Sequence, residues 1–182
     1  MLTTKKENAG RAHAVIGGGC FWCVEAVYRR VDGITDVESG YAGGTVDHPS
    51  YEQVCTGKTG HAEVVRVEYD PSKIGYSKVL DLFFLAHDPT TLNRQGADTG
   101  TQYRSIILYA TEDEKRIAGE SVRKAQANLT EPIVTEIVPL EKFWPAEDYH
   151  RDYFERNPTA GYCRLVIKPK IDKLDLGPRR NG

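Results

Sequence analysis

His13-Ala14-Val15-Ile16-Gly17-Gly18-Gly19-Cys20-Phe21-Trp22-Cys23-Val24 decides how the rest of the chain is read. Four residues of strand character stop at three glycines. Apolar side chains then recur at Val24, Val27, Tyr28 and Val31, the i, i+3, i+4, i+7 spacing of one helix face. The helix is expected over about 20–30, with Asp32-Gly33 ending it, since glycine suits the left-handed position after a helix. This strand–glycine–helix unit sets Cys20 at a helix start, where unpaired backbone N–H groups favour a thiolate over a thiol. A cysteine beside a tight turn is equally at home as a small buried side chain. Position alone leaves both readings open.

Beyond this unit, residues 34–41 read as a second strand. Ser50 with Gln53 forms a capping box for a short helix closed by Gly57. Residues 61–69 give the clearest strand, placing Glu63, Val65, Val67 and Tyr69 on one face. Val79, Leu80, Phe83, Phe84 and His87 mark an amphipathic helix that Asp88-Pro89 terminates. Residues 101–110 are expected as strand, Thr111 and Glu114 start a long helix to about Leu129, and 133–138 form a further strand. From Phe143 onward no long period is visible, and short helix and loop are expected. The order β-α-β-β-α-β, then α-β, predicts an α+β fold: a ferredoxin-like core, an additional helix and strand, and an irregular C-terminal tail. Residues 1–10 read as a loose segment and 11–182 as one domain, with no internal repeat or linker.

Composition narrows the function classes. The 182 residues are 40% hydrophobic and 27% charged with net charge −2, an ordinary globular balance. The pI of about 6.2 offers no basic field for nucleic acid or an anionic membrane. The densest apolar run, Leu82-Phe83-Phe84-Leu85-Ala86, is far too short to span a bilayer. The first eight residues lack the apolar core of a secretion signal, so a cytoplasmic protein is expected, working as a monomer. Four cysteines are too few for a disulfide scaffold and point to chemistry or burial.

Phe21 and Trp22 are adjacent and point different ways on a helix, so at least one should border Cys20 as an apolar wall, the other option being core packing. Glu63 is either an exposed strand-end carboxylate or, turned inward, a desolvated acid able to hold and deliver a proton. Tyr51 and Tyr103 can donate phenolic hydrogen bonds, and Asp98 lies in a polar loop over 95–100. Each of these has an ordinary structural use as well. Cys55, on the short helix after Ser50, reads as a small buried side chain.

Gly19-Cys20-Phe21-Trp22 resembles the signature of the A-type peptide-methionine (S)-S-oxide reductases. Gly40-Tyr41-Ala42-Gly43-Gly44, Thr59-Gly60-His61-Ala62-Glu63, His87-Asp88-Pro89, Gly100-Thr101-Gln102-Tyr103-Arg104-Ser105 and Gly161-Tyr162-Cys163 resemble further family motifs, in the family's order, over about 13–170. The resemblance implies that Cys20 attacks the sulfoxide sulfur and becomes a sulfenic acid while Glu63 protonates the oxygen. Tyr51 and Tyr103 would hydrogen-bond that oxygen, Phe21 and Trp22 would hold the methyl group, and Asp98 would lie near the site. A second thiol would convert the sulfenic acid to a disulfide, reduced in turn by thioredoxin, with no metal or flavin. Cys163 matches the family's recycling position and would swing over from a loose tail. Cys23 stands where many relatives carry glycine and is an alternative or a shuttle. Both oxidised proteins and free methionine sulfoxide are expected substrates.

Two rival readings carry over from the residues alone. Cys20-x-x-Cys23 at a helix start suits a thioredoxin-like dithiol oxidoreductase, although the intervening Phe-Trp pair is bulky. The same pair could supply half of a zinc site, for which Cys55 and Cys163 are too isolated in sequence to complete a familiar spacing.

Overall fold

The computed structural model describes residues 10–180. The expected loose segment 1–10 therefore lies, apart from Gly10, outside the described residues. Strand β1 (Ala12–Gly17) leads into helix α1 (Phe21–Tyr28), strand β2 (Ile34–Ala42), helix α2 (Tyr51–Cys55), strand β3 (Ala62–Tyr69) and helix α3 (Tyr76–Ala86). A two-strand ribbon of β4 (Arg94–Gln95) and β5 (Asp98–Thr99) follows, then a 3-10 turn (Thr101–Tyr103), β6 (Ile106–Tyr109), α4 (Glu112–Gln126), β7 (Glu136–Pro139) and β8 (Phe143–Pro145). A 3-10 turn (Asp148–His150), α5 (Tyr153–Arg156), a π-helical segment (Cys163–Ile167) and α6 (Lys168–Lys173) complete the chain.

Six strands form one sheet in the order β7-β6-β1-β3-β2-β8. Every pairing is antiparallel except β6 with β7. The fold is α+β. Period-two alternation along the central strands divides the core in two. Ala14, Ile16, Val37, Val65, Val67 and Ile107 face α1, α3 and α4, whose Val27, Tyr28, Val79, Leu80, Phe83 and Ala118 are buried against them. Val15, Ala42, Ala62, Val64, Ile106 and Leu108 are equally buried on the opposite face, closed by Val138, Leu140 and Phe143. The two outermost strands, β7 and β8, line the same cavity of about 500 Å³ through Glu136, Val138 and Trp144. Opposite edges can share a cavity only if the sheet curls round, and that curl covers the second face without a helix layer.

Local signals account for the helix boundaries. Ser50 and Gln53 form the capping box in full, each side chain bonding the other's backbone N–H. The Thr111 hydroxyl accepts from Glu114 N–H at 3.1 Å, and Glu112, Asp113 and Glu114 lie in the first turn of α4, where the helix dipole favours acids.

The chain departs from the sequence expectation in four places. Residues 101–105 are not strand, because the Thr101–Tyr103 turn interrupts the run and β6 begins only at Ile106. The polar loop holding Asp98 contains the β4–β5 ribbon. Phe143–Pro145, expected as loop, is a strand because the outer edge of β2 offers it hydrogen bonds in the register Tyr41↔Trp144. The C-terminal tail is not irregular; it is helical from Cys163 to Lys173, with Ile167 and Ile171 buried against α1.

Candidate active site

Two of the glycines after β1 answer to steric demands. Gly19 has φ +90°, a left-handed conformation that strains an L side chain, and its N–H donates to the Tyr103 carbonyl at 3.2 Å. A Cβ at Gly17 would stand 2.6 Å from the Glu63 carbonyl oxygen, so only glycine lets β1 and β3 approach this closely. The turn therefore delivers Cys20 to the start of α1 beside residue 63 of β3.

Cys20 is the N-cap residue of α1, and its carbonyl accepts from Cys23 N–H at 3.1 Å. It is 8% exposed. Burial pushes its thiol well above the ordinary cysteine value, and negative charge on Glu63 or Cys23 pushes it further. The Trp22 backbone N–H and the Tyr162 hydroxyl oppose this without cancelling it. The helix start thus acts in the expected direction, but desolvation and Glu63 outweigh it, and Cys20 rests as a protonated thiol. This corrects the reading of a thiolate formed by helix position alone.

Glu63 faces inward and is 1% exposed. Its Oε1 accepts from Phe21 N–H at 3.2 Å, while Oε2 has no hydrogen-bond partner. Burial raises its pKa to about 8; the Phe21 hydrogen bond lowers it and the charge of Asp98 raises it. Glu63 is therefore predominantly a neutral acid at pH 7 with one oxygen unused. A carboxyl in that state is a proton donor waiting for an acceptor.

Tyr51 opens α2, and Tyr103 closes the 3-10 turn that bonds Gly19. Both are half-buried with hydroxyls pushed above the ordinary tyrosine value, first by burial and then by nearby negative charge, Glu63 included. Each stays a donor at any physiological pH. Asp98 of β5 accepts from the Tyr162 hydroxyl at 2.6 Å, and that hydroxyl lies 3.7 Å from Cys23 Sγ.

The aromatic residues build one wall. Phe21 is 1% exposed, with Tyr41 at 5.7 Å and Tyr51 at 6.4 Å between ring centroids. Trp22 is half-buried, stacked on Tyr153 at 3.8 Å and 7°, with the edge of Tyr162 at 5.9 Å. Its Nε1–H donates to His150 Nδ1 at 2.9 Å. Glu147 fixes the opposite corner, accepting from Tyr41 Oη at 3.0 Å and Tyr51 N–H at 3.1 Å. Far from Cys20, the residues that follow α1 are tied to the C-terminal segment by Arg30–Glu155 and Arg29–Asp152, while Arg29 Nη2 donates to the Val37 carbonyl of β2 at 2.6 Å.

All the expected site residues but one gather here: Cys20, Phe21, Trp22, Tyr51, Glu63, Asp98, Tyr103 and Cys23 share this corner of the molecule. Cys163 is the qualified case. It sits in the π-helical segment, fully buried and clustered with Cys23, Ala26 and Ile167, so it is no free-swinging tail thiol. All four cysteines are free. Cys55 is exposed, contrary to its reading as a buried side chain, because the short α2 turns only Val54 inward. Glu147, His150 and Tyr153 escaped sequence reading, since they follow no period; the only signal was the aromatic density after Phe143. Among the described residues no cluster of His, Cys, Asp and Glu could hold a metal ion, which leaves the zinc reading without a ligand set.

A protonated thiol at a helix start, a neutral buried carboxyl and two phenols round an apolar wall define a thiol-based redox enzyme, built on a curled α+β sheet. Residues 12–178 match the family model for peptide methionine sulfoxide reductase. The peptide methionine sulfoxide reductase MsrA of Haloquadratum walsbyi is 55% identical over 161 residues, 88% of this chain and 92% of the relative. That of Saccharolobus solfataricus is 55% identical over 88% of this chain and 91% of its own. Among solved structures, reduced Mxr1 from Saccharomyces cerevisiae superposes with a TM-score of 0.82 at 37% identity, over 88% of this chain and 93% of that one. Methionine sulfoxide reductase A of Corynebacterium diphtheriae gives 0.77 at 36%, over 89% and 82%. The chain belongs to the peptide methionine sulfoxide reductase family and is an oxidoreductase of that kind. The thioredoxin-like reading of Cys20-x-x-Cys23 is not favoured.

Proposed function

We propose that the chain reduces the S epimer of methionine sulfoxide, in proteins and as the free amino acid, with Cys20 as nucleophile and Glu63 as acid. The observation that carries the reading is the unpartnered Glu63 Oε2, buried and mostly protonated, beside a protonated Cys20. The sulfoxide oxygen supplies the missing acceptor. As Cys20 sulfur bonds to the substrate sulfur, the Glu63 proton passes to that oxygen and the Cys20 proton restores Glu63. The hydroxyl then ends on Cys20 as a sulfenic acid and methionine leaves. Tyr51 and Tyr103 donate to the oxygen while it carries charge. Phe21 and the Trp22 face not covered by Tyr153 hold the methyl group, with Asp98 orienting Tyr162 behind them.

A second thiol then displaces water from the sulfenic acid to form a disulfide. Cys23 lies at i+3 from Cys20, a spacing that a disulfide's Cα separation of roughly 4.4–6.8 Å can accommodate. It also packs with Cys163. In this reading Cys23 closes the first bond and Cys163 takes it over by exchange, after the C-terminal helix loosens. Thioredoxin is the proposed reductant. A structure of Mxr1 in complex with Trx2, matched at a TM-score of 0.59 and 26% identity, supports that choice. We also read the core as ferredoxin-like, supported by the order β6-β1-β3-β2, and the protein as a cytoplasmic monomer.

The test supplies separated sulfoxide epimers with dithiothreitol to the full chain and to Cys20→Ser. Methionine should form from the S epimer only, and not at all in the variant, because a serine hydroxyl is a far weaker nucleophile. Near-normal release by Cys20→Ser would end the assignment.

A further inference from the structure

His150 closes the 3-10 turn after β8 and is completely buried. Its ring packs on three residues of the proposed substrate wall, at centroid distances of 4.9 Å from Phe21, 4.6 Å from Tyr51 and 5.7 Å from Trp22. An indole N–H can only donate, so the 2.9 Å bond from Trp22 Nε1 requires an unprotonated His150 Nδ1. The neutral ring then carries its hydrogen on Nε2. Burial holds its pKa below the ordinary histidine value, although the charges of Glu147 and Glu52 act the other way.

His150 Nε2 is buried with no protein partner, and so is Ser39 Oγ on β2. Both residues line one cavity of about 40 Å³, together with Glu38, Ala146, Glu147 and Arg151. A buried water needs a polar site of at least roughly 10–15 Å³ and two to four hydrogen-bonding partners. This cavity meets the volume, and its two orphaned groups offer a donor and a hydroxyl.

We infer that His150 is a positioning residue for the substrate wall: Nδ1 fixes the Trp22 indole, and Nε2–H is fixed by a water lodged between it and Ser39 Oγ. The inference rests on the reading of Phe21 and Trp22 as the methyl-binding wall. Trp22 has one face on Tyr153 and one edge near Tyr162, so its remaining rotation is restrained by the bond to His150. A mobile indole costs substrate affinity first, and the chemical step at Cys20 and Glu63 much less.

The experiment combines nitrogen NMR with sulfoxide kinetics in dithiothreitol, all on the full chain. In the wild type at pH 7, the histidine signals lost in His150→Asn should show a neutral ring protonated on Nε2. Ser39→Ala should shift those same signals. His150→Phe keeps a ring but removes the acceptor, so KM should rise about tenfold with kcat changed less than about threefold. Asparagine places an amide oxygen near the position of Nδ1, so His150→Asn should return KM to within about threefold of wild type. A charged ring, an Nδ1–H ring, an unchanged KM in His150→Phe, or equal damage from Phe and Asn would each overturn the inference. Should His150→Phe not fold, as thermal melting would reveal, the NMR tautomer and His150→Asn decide. Trp22→Phe separates the two levels. If it leaves KM unchanged the wall reading fails, and if it raises KM while His150→Phe does not, only the role of His150 fails.

Discussion

Replacing Glu63 by glutamine removes the one buried carboxyl whose proton the proposed chemistry uses, and the effect on stability follows from the same burial. Glu63 rises from an ordinary 4.5 to about 8 in the fold. The folded chain therefore holds this proton more tightly than the unfolded chain. The stability contributed by the neutral form is complete below the unfolded value and is lost as pH climbs through 4.5 towards 8. Each unit of difference is worth about 1.4 kcal/mol, so the loss amounts to about 1 kcal/mol at pH 5, 3 at pH 7 and 5 at pH 9. Glutamine preserves an oxygen for the Phe21 N–H but does not titrate, so it escapes this loss. Urea unfolding of both proteins at the three pH values should show Glu63→Gln gaining on wild type by about 2 kcal/mol between pH 5 and 7. The same variant should slow single-turnover methionine formation by roughly 10²–10⁴-fold while binding sulfoxide nearly as well. A stability difference that does not change with pH, or a wild-type single-turnover rate, would refute the buried neutral acid. Such a trade of stability for activity is expected wherever a site holds a group that the fold would rather exclude.

Four further outcomes follow from the geometry. Glu63→Gln should speed alkylation of Cys20 by iodoacetamide near pH 8, since the Glu63 charge helps hold that thiol protonated; an unchanged rate would mean the two groups do not interact. In the unmodified protein Cys55 should label first and Cys20, Cys23 and Cys163 much later, as peptide mapping would reveal, because only Cys55 is exposed. Cys23→Ser should spare the first turnover yet block recycling by thioredoxin. Cys163→Ser should leave a Cys20–Cys23 bond that thioredoxin reduces slowly, and a direct Cys20–Cys163 bond in the wild type after one equivalent of sulfoxide would reverse that order.

Much of the site was legible because its signals are local. Three glycines before Cys20, a serine three residues before Gln53 and an alternating strand through Glu63 are read within a few residues of each other, and the backbone obeys them. Cys20 at the helix start follows from such spacing alone, whereas the alternation left Glu63 open between an exposed strand end and the interior, and only the packed sheet buries it. What the sequence could not supply is whatever depends on a distant partner. Phe143–Pro145 is strand only because β2 has a free edge, and residues 101–105 leave the strand to make the turn that lets Tyr103 bond Gly19. Glu147 reaches Tyr41 and Tyr51 across 106 and 96 residues, and His150 reaches Trp22 across 128, with Tyr153 beside it, all from a segment with no period. The protonation of Cys20 is likewise a property of the assembled site. The helix start is written in the sequence and favours a thiolate, but the burial and the Glu63 carboxyl that reverse this arise only when β1, α1 and β3 pack together. Local spacing marked Cys20, Phe21, Trp22 and Glu63 as candidates and set the elements that carry them; packing set their burial, their resting charge and what holds them in place, because desolvation and long-range hydrogen bonds exist only between elements already packed together.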